Sequence, residues 1–284
     1  MADFTRRNPT DDTELIGTVL ANPPRPRAVI ALVHGFGEHA GRYRGFAPEL
    51  EAQGLAVIAL DLHGHGRTSG ARGRCDRYER LREDVDMLVV EARERFPARP
   101  VFLYGHSMGG GLALDWALDR GGFIRDTAKL SGVIVSAPLI RPVDAPPRIA
   151  FPVLRMIRRL HPGFSIPNPI SGEQISTIPA EREAYEADPL NHHRLGVGLG
   201  LDMIAHGEAL LKGAERFPLP LLLMHARGDE LTDFAASERF AERAPDCNFV
   251  ALEGVAHEIH NDTSRARVAA LVGEFVDAHT EKQS

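Results

Sequence analysis

"FLYGHSMGGGLAL", residues 102–114, sets a serine between glycines where one apolar run stops and another begins. Gly105, Ser107 and Gly109 form the motif G-x-S-x-G, after a predicted strand and directly before a predicted helix. A sharp strand-to-helix turn lifts such a serine above the sheet, and its small neighbours let other backbone approach. The stretch therefore predicts an α/β fold with Ser107 as nucleophile. The alternative is a small residue in a glycine-rich turn.

Apolar runs recur along the rest of the chain and alternate with helical patterns. Runs rich in Val, Ile and Leu, without polar alternation, are typical of strands covered on both faces. Strand alternating with helix predicts a mostly parallel sheet flanked by helices. "ELIGTVL" (14–20) is a weaker candidate for an antiparallel edge strand. The predicted buried strands lie within residues 28–35, 55–64, 100–107, 131–138, 219–226 and 247–254.

One interval, 139–218, breaks this alternation with a proline-rich opening, helical stretches and no convincing buried strand. We therefore expect a core of residues 1–138 and 219–284 with a helical cap, or lid, inserted at 139–218. An amphipathic helix is predicted within 151–164, and its pattern favours packing of the apolar side onto the core. Transient contact of the cap with a membrane surface is left open. The apolar side holds Val153, Leu154, Met156, Ile157 and Leu160, and the basic side Arg155, Arg158 and Arg159.

Composition limits the classes of protein that fit this chain. Its 284 residues, 43% of them hydrophobic, suffice for one sizeable core. A net charge of −6 argues against nucleic acid as a partner, because phosphate backbones need clustered Lys and Arg. Cys75 and Cys247 are too few for a disulfide framework and lack zinc-type spacing. No apolar run approaches the roughly 20 residues of a membrane span. We expect a cytoplasmic protein. The sequence does not indicate its oligomeric state.

A serine nucleophile needs a histidine base and an acid that orients it, and in this fold both follow the serine. His257 comes just past the last predicted strand and is preferred to His260, which we expect to be a surface or cap-contact residue. Asp229 comes at the carboxyl end of the preceding strand, where catalytic groups gather in open α/β sheets. We expect Glu230 to point elsewhere, and Asp233, just before a helical pattern, to cap that helix.

Acyl transfer also needs N–H donors for the oxyanion. The first is expected to be the backbone N–H of Met108, directly after the nucleophile. The second is expected from the loop "VHGFGEH" (33–39), where Gly35 and Gly37 permit a turn that aims the N–H of Phe36 inward. An ordinary glycine turn is the alternative for this loop.

A metal site is a further alternative. "DLHGHG" (61–66) clusters Asp61, His63 and His65, and His192 stands beside His193. Imidazoles commonly bind zinc, yet the glycines after a strand indicate a turn, and no H-E-x-x-H follows. We expect no metal and no organic cofactor.

"HGFGEHAGRY", "GHSMGG", "ADPL" (187–190) and "GDELTD" followed by "AHEIH" resemble the monoacylglycerol lipase and lysophospholipase branch of the α/β-hydrolase superfamily. The similarity runs in order across nearly the whole chain. It implies that Ser107, Asp229 and His257 occupy the triad positions, and Phe36 and Met108 the oxyanion-hole positions. It also implies that the insertion is an apolar cap over an acyl-chain tunnel.

The resulting hypothesis is a serine hydrolase that cleaves monoacylglycerols or similar single-chain acyl esters through an acyl-serine intermediate. Its partner is a small-molecule lipid ester. Another carboxylesterase or lysophospholipase, and a non-catalytic lipid-binding module, are alternatives. A proline iminopeptidase-like enzyme is a further alternative, because acidic cap residues could hold the amine of its substrate. Those available are Glu173, Glu181, Glu183 and Glu186.

Overall fold

An eight-stranded sheet runs through residues 2–120 and 130–280, the parts of the chain that the computed structural model describes. Its strand order is β1-β2-β4-β3-β5-β6-β9-β10, parallel from β4 to β10, with β1 and β2 antiparallel at one edge. This confirms the predicted α/β fold. The strands are β1 (Ala2–Arg7), β2 (Glu14–Ala21), β3 (Ala28–Val33), β4 (Leu55–Leu60), β5 (Val101–His106), β6 (Leu130–Ser136), β9 (Leu221–Ala226) and β10 (Cys247–Leu252).

Helices cover both faces of the sheet. Helices α2, α3 and α8 contribute to one apolar layer and α1 and α9 to the other. The core helices are α1 (Ala47–Ala52), α2 (Tyr78–Arg95), α3 (Met108–Asp119), α8 (Phe234–Ala241) and α9 (Arg265–Thr280), with 3-10 turns at Ala40–Gly45 and Ile259–Asn261.

Strand β3 explains why the apolar runs are continuous. Val29, Ala31 and Val33 belong to one apolar layer, whereas Ile30 and Leu32 belong to the other. All five are fully buried, so both faces of the strand exclude water. A strand in the middle of a two-sided sheet therefore has no polar face to give an alternating pattern.

The edge of the sheet differs from the prediction. The strand predicted at 14–20 is present and antiparallel, but β1 pairs outside it and forms the edge. The sequence of β1 is polar, and Arg6 pairs with Glu91 and Glu94 on α2. A Cβ on Gly17 would lie only 2.3 Å from the ring of Phe4, so the glycine makes room for that ring.

The segment 139–218 lies between β6 and β9. Among the described residues, none of its strands joins the main sheet. Instead β7 and β8 form a separate antiparallel pair, and α7 packs against α3. Its elements are α4 (Phe151–Leu160), β7 (Ser165–Pro167), α5 (Gly172–Ile175), α6 (Pro179–Ala187), β8 (Arg194–Gly196) and α7 (Val197–Gly213), with 3-10 turns at Arg148–Ala150 and Ala214–Arg216.

Helix α4 corrects another expectation. The amphipathic pattern predicts packing of its apolar side, yet Val153, Met156 and Leu160 are 58–63% exposed. The reason lies on the other side of the helix, where Arg158 makes two hydrogen bonds, of 2.5 and 3.0 Å, to Asp202 of α7. This contact turns much of the apolar side toward solvent. In the described ranges no helix is long and apolar enough to cross a membrane.

Candidate active site

Ser107 makes the turn between β5 and α3. Its backbone has φ +53° and ψ −119°, a conformation that residues with a side chain rarely adopt. The flanking glycines allow this turn to pack tightly. A Cβ on Gly105 would lie 2.3 Å from the carbonyl oxygen of Gly109, and one on Gly109 would lie 2.3 Å from that of His34. Both motif glycines are therefore required by close backbone contacts.

The two predicted oxyanion donors lie next to this turn. Met108 is the first residue of α3, where the helix itself provides no acceptor for the N–H group. The loop after β3 passes close to the serine, because a Cβ on Gly35 would lie 3.2 Å from the Cβ of Ser107. Phe36 lines the same pocket as Ser107. The structure thus brings Phe36, Met108 and Ser107 together.

A buried carboxyl group holds the loop that contains Phe36. Glu38 accepts hydrogen bonds from the N–H of Gly35 and, at 2.9 Å, from the hydroxyl of Tyr43. Burial, and next the negative charge of Glu258, raise the pKa of Glu38 to about 8, although Arg42 opposes this rise. The carboxyl group thus connects the Phe36 loop to Tyr43.

The same loop is held to the inserted segment by His192. The N–H of His192 donates to the carbonyl oxygen of Gly37 at 2.8 Å. The rings of His192 and Phe36 meet edge to face, with centroids 5.3 Å apart. Gly37 has φ +75°, and a Cβ there would lie 2.6 Å from the carbonyl oxygen of His192. The inserted segment therefore helps to set the position of the Phe36 peptide.

His257, in the loop after β10, is buried and bonded to Asp229. Its Nδ1 lies 2.6 Å from Oδ2 of Asp229, and this contact places the ring proton on Nδ1 and leaves Nε2 as an acceptor. Burial lowers the pKa of His257, but the charge and hydrogen bond of Asp229 outweigh it and raise the pKa above its ordinary value. His257 and Ser107 line one pocket. The predicted base and the predicted nucleophile therefore lie in the same cavity.

The side chain of Asp229 is fully buried and accepts several hydrogen bonds. Its Oδ1 accepts from the backbone N–H of Leu231 at 2.8 Å and of Thr232 at 3.0 Å. Its Oδ2 also accepts from the hydroxyl of Thr232 at 2.9 Å. Burial raises the pKa of Asp229, but the charge of His257 and the hydrogen bonds of His225 and His257 bring it well below the ordinary range. The carboxylate is therefore ionised.

His225 is a residue of this cluster that the sequence analysis missed. It belongs to β9, has no exposed surface, and its Nε2 lies 3.1 Å from Oδ2 of Asp229. Its Nδ1 lies 2.8 Å from the hydroxyl of Ser237 on α8. Asp229 is thus bonded to two imidazoles, His257 toward the pocket and His225 away from it. The spacing of four residues between His225 and Asp229 is the sequence feature that could have indicated this contact.

The loop that carries His257 is also held to the inserted segment. The backbone N–H groups of His257 and Glu258 donate to the carbonyl oxygens of Gln174 and Ile175, at 3.2 and 2.9 Å. Gln174 and Ile175 are the last two residues of α5. Backbone of the inserted segment therefore fixes the position of the predicted base.

Asp262 strengthens this connection. Its carboxylate accepts from the backbone N–H of Thr177 at 2.8 Å, of Ala256 at 3.0 Å and of Thr263 at 2.7 Å, as well as from the Thr177 hydroxyl. Burial raises the pKa of Asp262, but these hydrogen bonds outweigh it and lower the pKa. One carboxylate thus joins the inserted segment to both ends of the His257 loop.

The other predicted residues have mixed outcomes. The expectation that His260 is a surface or cap-contact residue is wrong, because it is fully buried and stacked on Tyr43 at 4.6 Å. Asp233 caps α8 as predicted, since it accepts from the N–H of Ala235 at 3.0 Å. Glu230 is exposed, yet it lines the pocket rather than pointing elsewhere.

The residues considered for a metal have other surroundings. Asp61 accepts hydrogen bonds from two backbone N–H groups, at 2.8 and 2.9 Å. The rings of His65 and His192 pack 4.9 Å apart. Across the part of the chain that the structure describes, no three His, Cys, Asp or Glu side chains are grouped to hold a metal ion.

A pocket of about 250 Å³ joins these groups, and much of its wall comes from the inserted segment. Ser107, Phe36 and His257 line it from the core. The polar residues Asp144, Asn168, Gln174 and Glu230 also line it. Its apolar residues from the inserted segment include Leu139, Pro142, Ile170, Ile175, Leu195, Met203 and Ile204.

The model of the family described as "Serine aminopeptidase, S33" matches residues 24–264. A monoacylglycerol lipase of Mycolicibacterium smegmatis is 32% identical over 257 residues, which cover 89% of this chain and 89% of that protein. An abhydrolase domain-containing protein of Dictyostelium discoideum is 32% identical over 96% of this chain, which spans only 29% of that protein. The crystal structure of Paleococcus ferrophilus monoacylglycerol lipase superposes with a TM-score of 0.80 at 30% identity, covering 94% of this chain and 99% of that one.

Proposed function

The chain belongs to the serine aminopeptidase S33 family and is a serine hydrolase, and from this premise we propose that it cleaves monoacylglycerols or similar single-chain acyl esters. The products are a fatty acid and an alcohol. The observation that carries the proposal is the pocket, where Ser107 and His257 meet apolar walls that suit an acyl chain. The monoacylglycerol lipase relative supports the choice of substrate.

In the proposed acylation step, Nε2 of His257 takes the hydroxyl proton of Ser107 while the serine oxygen attacks the ester carbonyl. The backbone N–H groups of Phe36 and Met108 donate to the oxyanion that forms. When the tetrahedral intermediate collapses, the ester C–O bond breaks and the alcohol leaves with the proton from His257. The acyl group remains on Ser107.

Deacylation repeats these roles with water. His257 takes a proton from water, the hydroxide attacks the acyl carbonyl, and the fatty acid is released as Ser107 recovers its proton. Asp229, ionised and bonded to Nδ1, keeps His257 in the required tautomer and stabilises its charged form in both steps.

We assign the inserted segment, 139–218, the role of a cap that binds the acyl chain. The apolar residues that it adds to the pocket support this role. Each buried methylene contributes about 0.8 kcal/mol, so a chain of rising length should bind more tightly until the pocket is filled.

The exposed side of α4 supports a second part of the proposal, which is transient contact of the cap with a lipid surface. Val153, Met156 and Leu160 are exposed on a helix that also carries Arg155 and Arg159. Apolar and basic residues together are typical of helices that lie in a membrane interface. Such contact would bring the pocket to its substrate.

The family description names aminopeptidases, so a peptidase is the competing function. The glutamates considered for binding an amine do not support it, since none lines the pocket. Glu181 instead pairs with Arg265, and Glu186 accepts from the N–H of Gly172 at 3.2 Å. Glu173 is highly exposed.

Two experiments test the proposed function. Ser107→Ala should lower ester hydrolysis by at least about a thousandfold and abolish labelling by a fluorophosphonate, with an unchanged unfolding temperature. Rates should then be compared across monoacylglycerols of rising chain length, a diacylglycerol, a lysophospholipid and an aminoacyl anilide. A clear preference for the anilide, or wild-type ester hydrolysis by Ser107→Ala, would overturn the proposal.

A further inference from the structure

A second cleft, of about 350 Å³, lies between the core and the inserted segment, outside the pocket of Ser107. On the core side it is lined by Arg72 and Arg74, from the loop between β4 and α2. On the other side it is lined by Phe164, Ser165 and Arg194, around the β7–β8 pair. Three arginines therefore face one space.

These arginines lack the carboxylate partners that other arginines of the chain have. Arg42 pairs with Glu258 and Arg158 with Asp202, whereas no carboxylate in residues 2–120 or 130–280 forms an ion pair with the three cleft arginines. Their positive potential acts on neighbouring groups. After burial, the charge of Arg72 is the next largest cause that lowers the pKa of His192 to about 4. In a chain of net charge −6, this is a local excess of positive charge.

Two of the arginine side chains are in close contact with the inserted segment. A Cβ on Gly163 would lie 2.8 Å from Nη2 of Arg74, so glycine at that position makes room for the group. The stem of Arg74 passes Gly196, where a Cβ would lie 2.8 Å from Cγ. Arg194 donates from Nη2 to the hydroxyl of Ser165 at 2.7 Å. Planar guanidinium groups that line one cleft match the oxygens of a phosphate group.

Two exposed apolar side chains belong to the segment that lines the cleft or directly follows it. Phe164 is 46% and Ile166 is 40% exposed, and both follow the exposed end of α4. A cleft that binds an anion beside exposed apolar side chains suits a molecule with a charged head and an apolar tail. We propose that this cleft binds the phosphate group of an anionic lipid at a membrane surface, which rests on the proposed contact of α4 with lipid.

Vesicle binding tests this inference. Binding to phosphatidylcholine vesicles with and without phosphatidic acid should be measured for wild type and for two double variants. The cleft pair carries Arg72→Gln and Arg194→Gln, and the control pair carries Arg25→Gln and Arg99→Gln. The second pair makes the same change of charge at exposed arginines away from the cleft. The cleft pair should lose roughly tenfold or more of its affinity for phosphatidic acid vesicles, and the control pair should not. Hydrolysis of a short soluble ester should be unchanged in both.

Equal binding of phosphatidic acid vesicles by the two pairs would overturn the inference. Inorganic phosphate that raises the unfolding temperature of wild type but not of the cleft pair, without any preference for phosphatidic acid, would replace the lipid by free phosphate. A double variant with Met156→Ser and Leu160→Ser separates phosphate binding by the cleft from the proposed contact of α4 with lipid. Its unchanged binding to phosphatidylcholine vesicles would count against α4 contact, while the comparison of arginine pairs still decides the cleft.

Discussion

His257 and Asp229 are joined through Nδ1 and Oδ2 at 2.6 Å, and both side chains are buried. Replacement of the carboxylate by an amide, Asp229→Asn, should keep the size of the side chain but present the wrong tautomer to Ser107. We expect kcat to fall by about ten-thousandfold, the order seen when a triad acid is changed in this way. Steady-state kinetics on a soluble ester measure this. Asp233→Asn, at the helix cap nearby, is the matched control and should keep nearly full activity.

The same pair predicts how activity depends on pH. Only neutral His257 can accept a proton, and its pKa is raised above 6.5, so kcat/KM should fall as the pH drops through that raised value. In Asp229→Asn the burial that lowers the pKa remains and the carboxylate charge is lost. The acid limb of the residual activity should therefore move to lower pH. An unmoved limb would show that the limb belongs to another group.

The pKa shifts of Asp229 and His257 should make the stability of the fold depend on pH in opposite directions. The lowered pKa of Asp229 stabilises the fold above the unfolded value of 3.8, and this stabilisation is lost as the pH falls through the folded value. The raised pKa of His257 stabilises it below 6.5, and this is lost as the pH rises through the folded value. The pair should therefore contribute most to the free energy of unfolding between pH 3.8 and pH 6.5. The difference in unfolding free energy between wild type and Asp229→Asn, followed against pH, measures it.

His225 should affect both stability and catalysis through Asp229. His225→Leu removes one of the hydrogen bonds of Asp229 and leaves the hydroxyl of Ser237 without a partner, and a buried polar group left unpaired costs about 1–3 kcal/mol. The altered surroundings of Asp229 should also shift the pH limb of kcat/KM. His225→Gln, whose amide can donate toward the carboxylate, should recover part of both. If Leu and Gln give the same pH profile, His225 acts only by filling space.

Asp262 should hold the predicted base in place. Asp262→Ala removes hydrogen bonds from Thr177, Ala256 and Thr263, and bonds to a charged group are worth about 1.5–3 kcal/mol each. We expect lower kcat with faster amide hydrogen exchange in residues 256–262. Asp233→Ala, which removes an unrelated helix cap worth about 1 kcal/mol, is the control and should leave that exchange unchanged.

The glycines of the serine turn give a purely steric prediction. A Cβ on Gly105 or Gly109 would lie 2.3 Å from backbone oxygen, which cannot move without distorting the turn. Gly105→Ala and Gly109→Ala should each destabilise the fold by about 1–3 kcal/mol or more and abolish activity. Gly228→Ala, where a Cβ would meet nothing within 4 Å, should be tolerated. Denaturant unfolding compares the three.

Sequence patterns predicted the elements whose residues are buried on both faces, such as β3 and β9. They missed β1, because a polar strand at an edge has no apolar run to reveal it. They also placed His260 at the surface, since nothing in a loop sequence signals a stacked, buried imidazole. The amphipathic pattern of α4 was correct, but a pattern identifies an apolar side without saying what covers it. Long-range contacts decide each of these cases.

The attachment of the inserted segment at Gly37–His192 and at Gln174–His257 has a practical consequence for chimaeras built from relatives. Residues 143–160, which include α4, contain neither attachment, so grafting that stretch from another enzyme should change lipid preference while leaving the reaction centre assembled. A graft of all of 139–218 must recreate both contacts, or it will deliver a well-folded scaffold with a misaligned base and oxyanion loop.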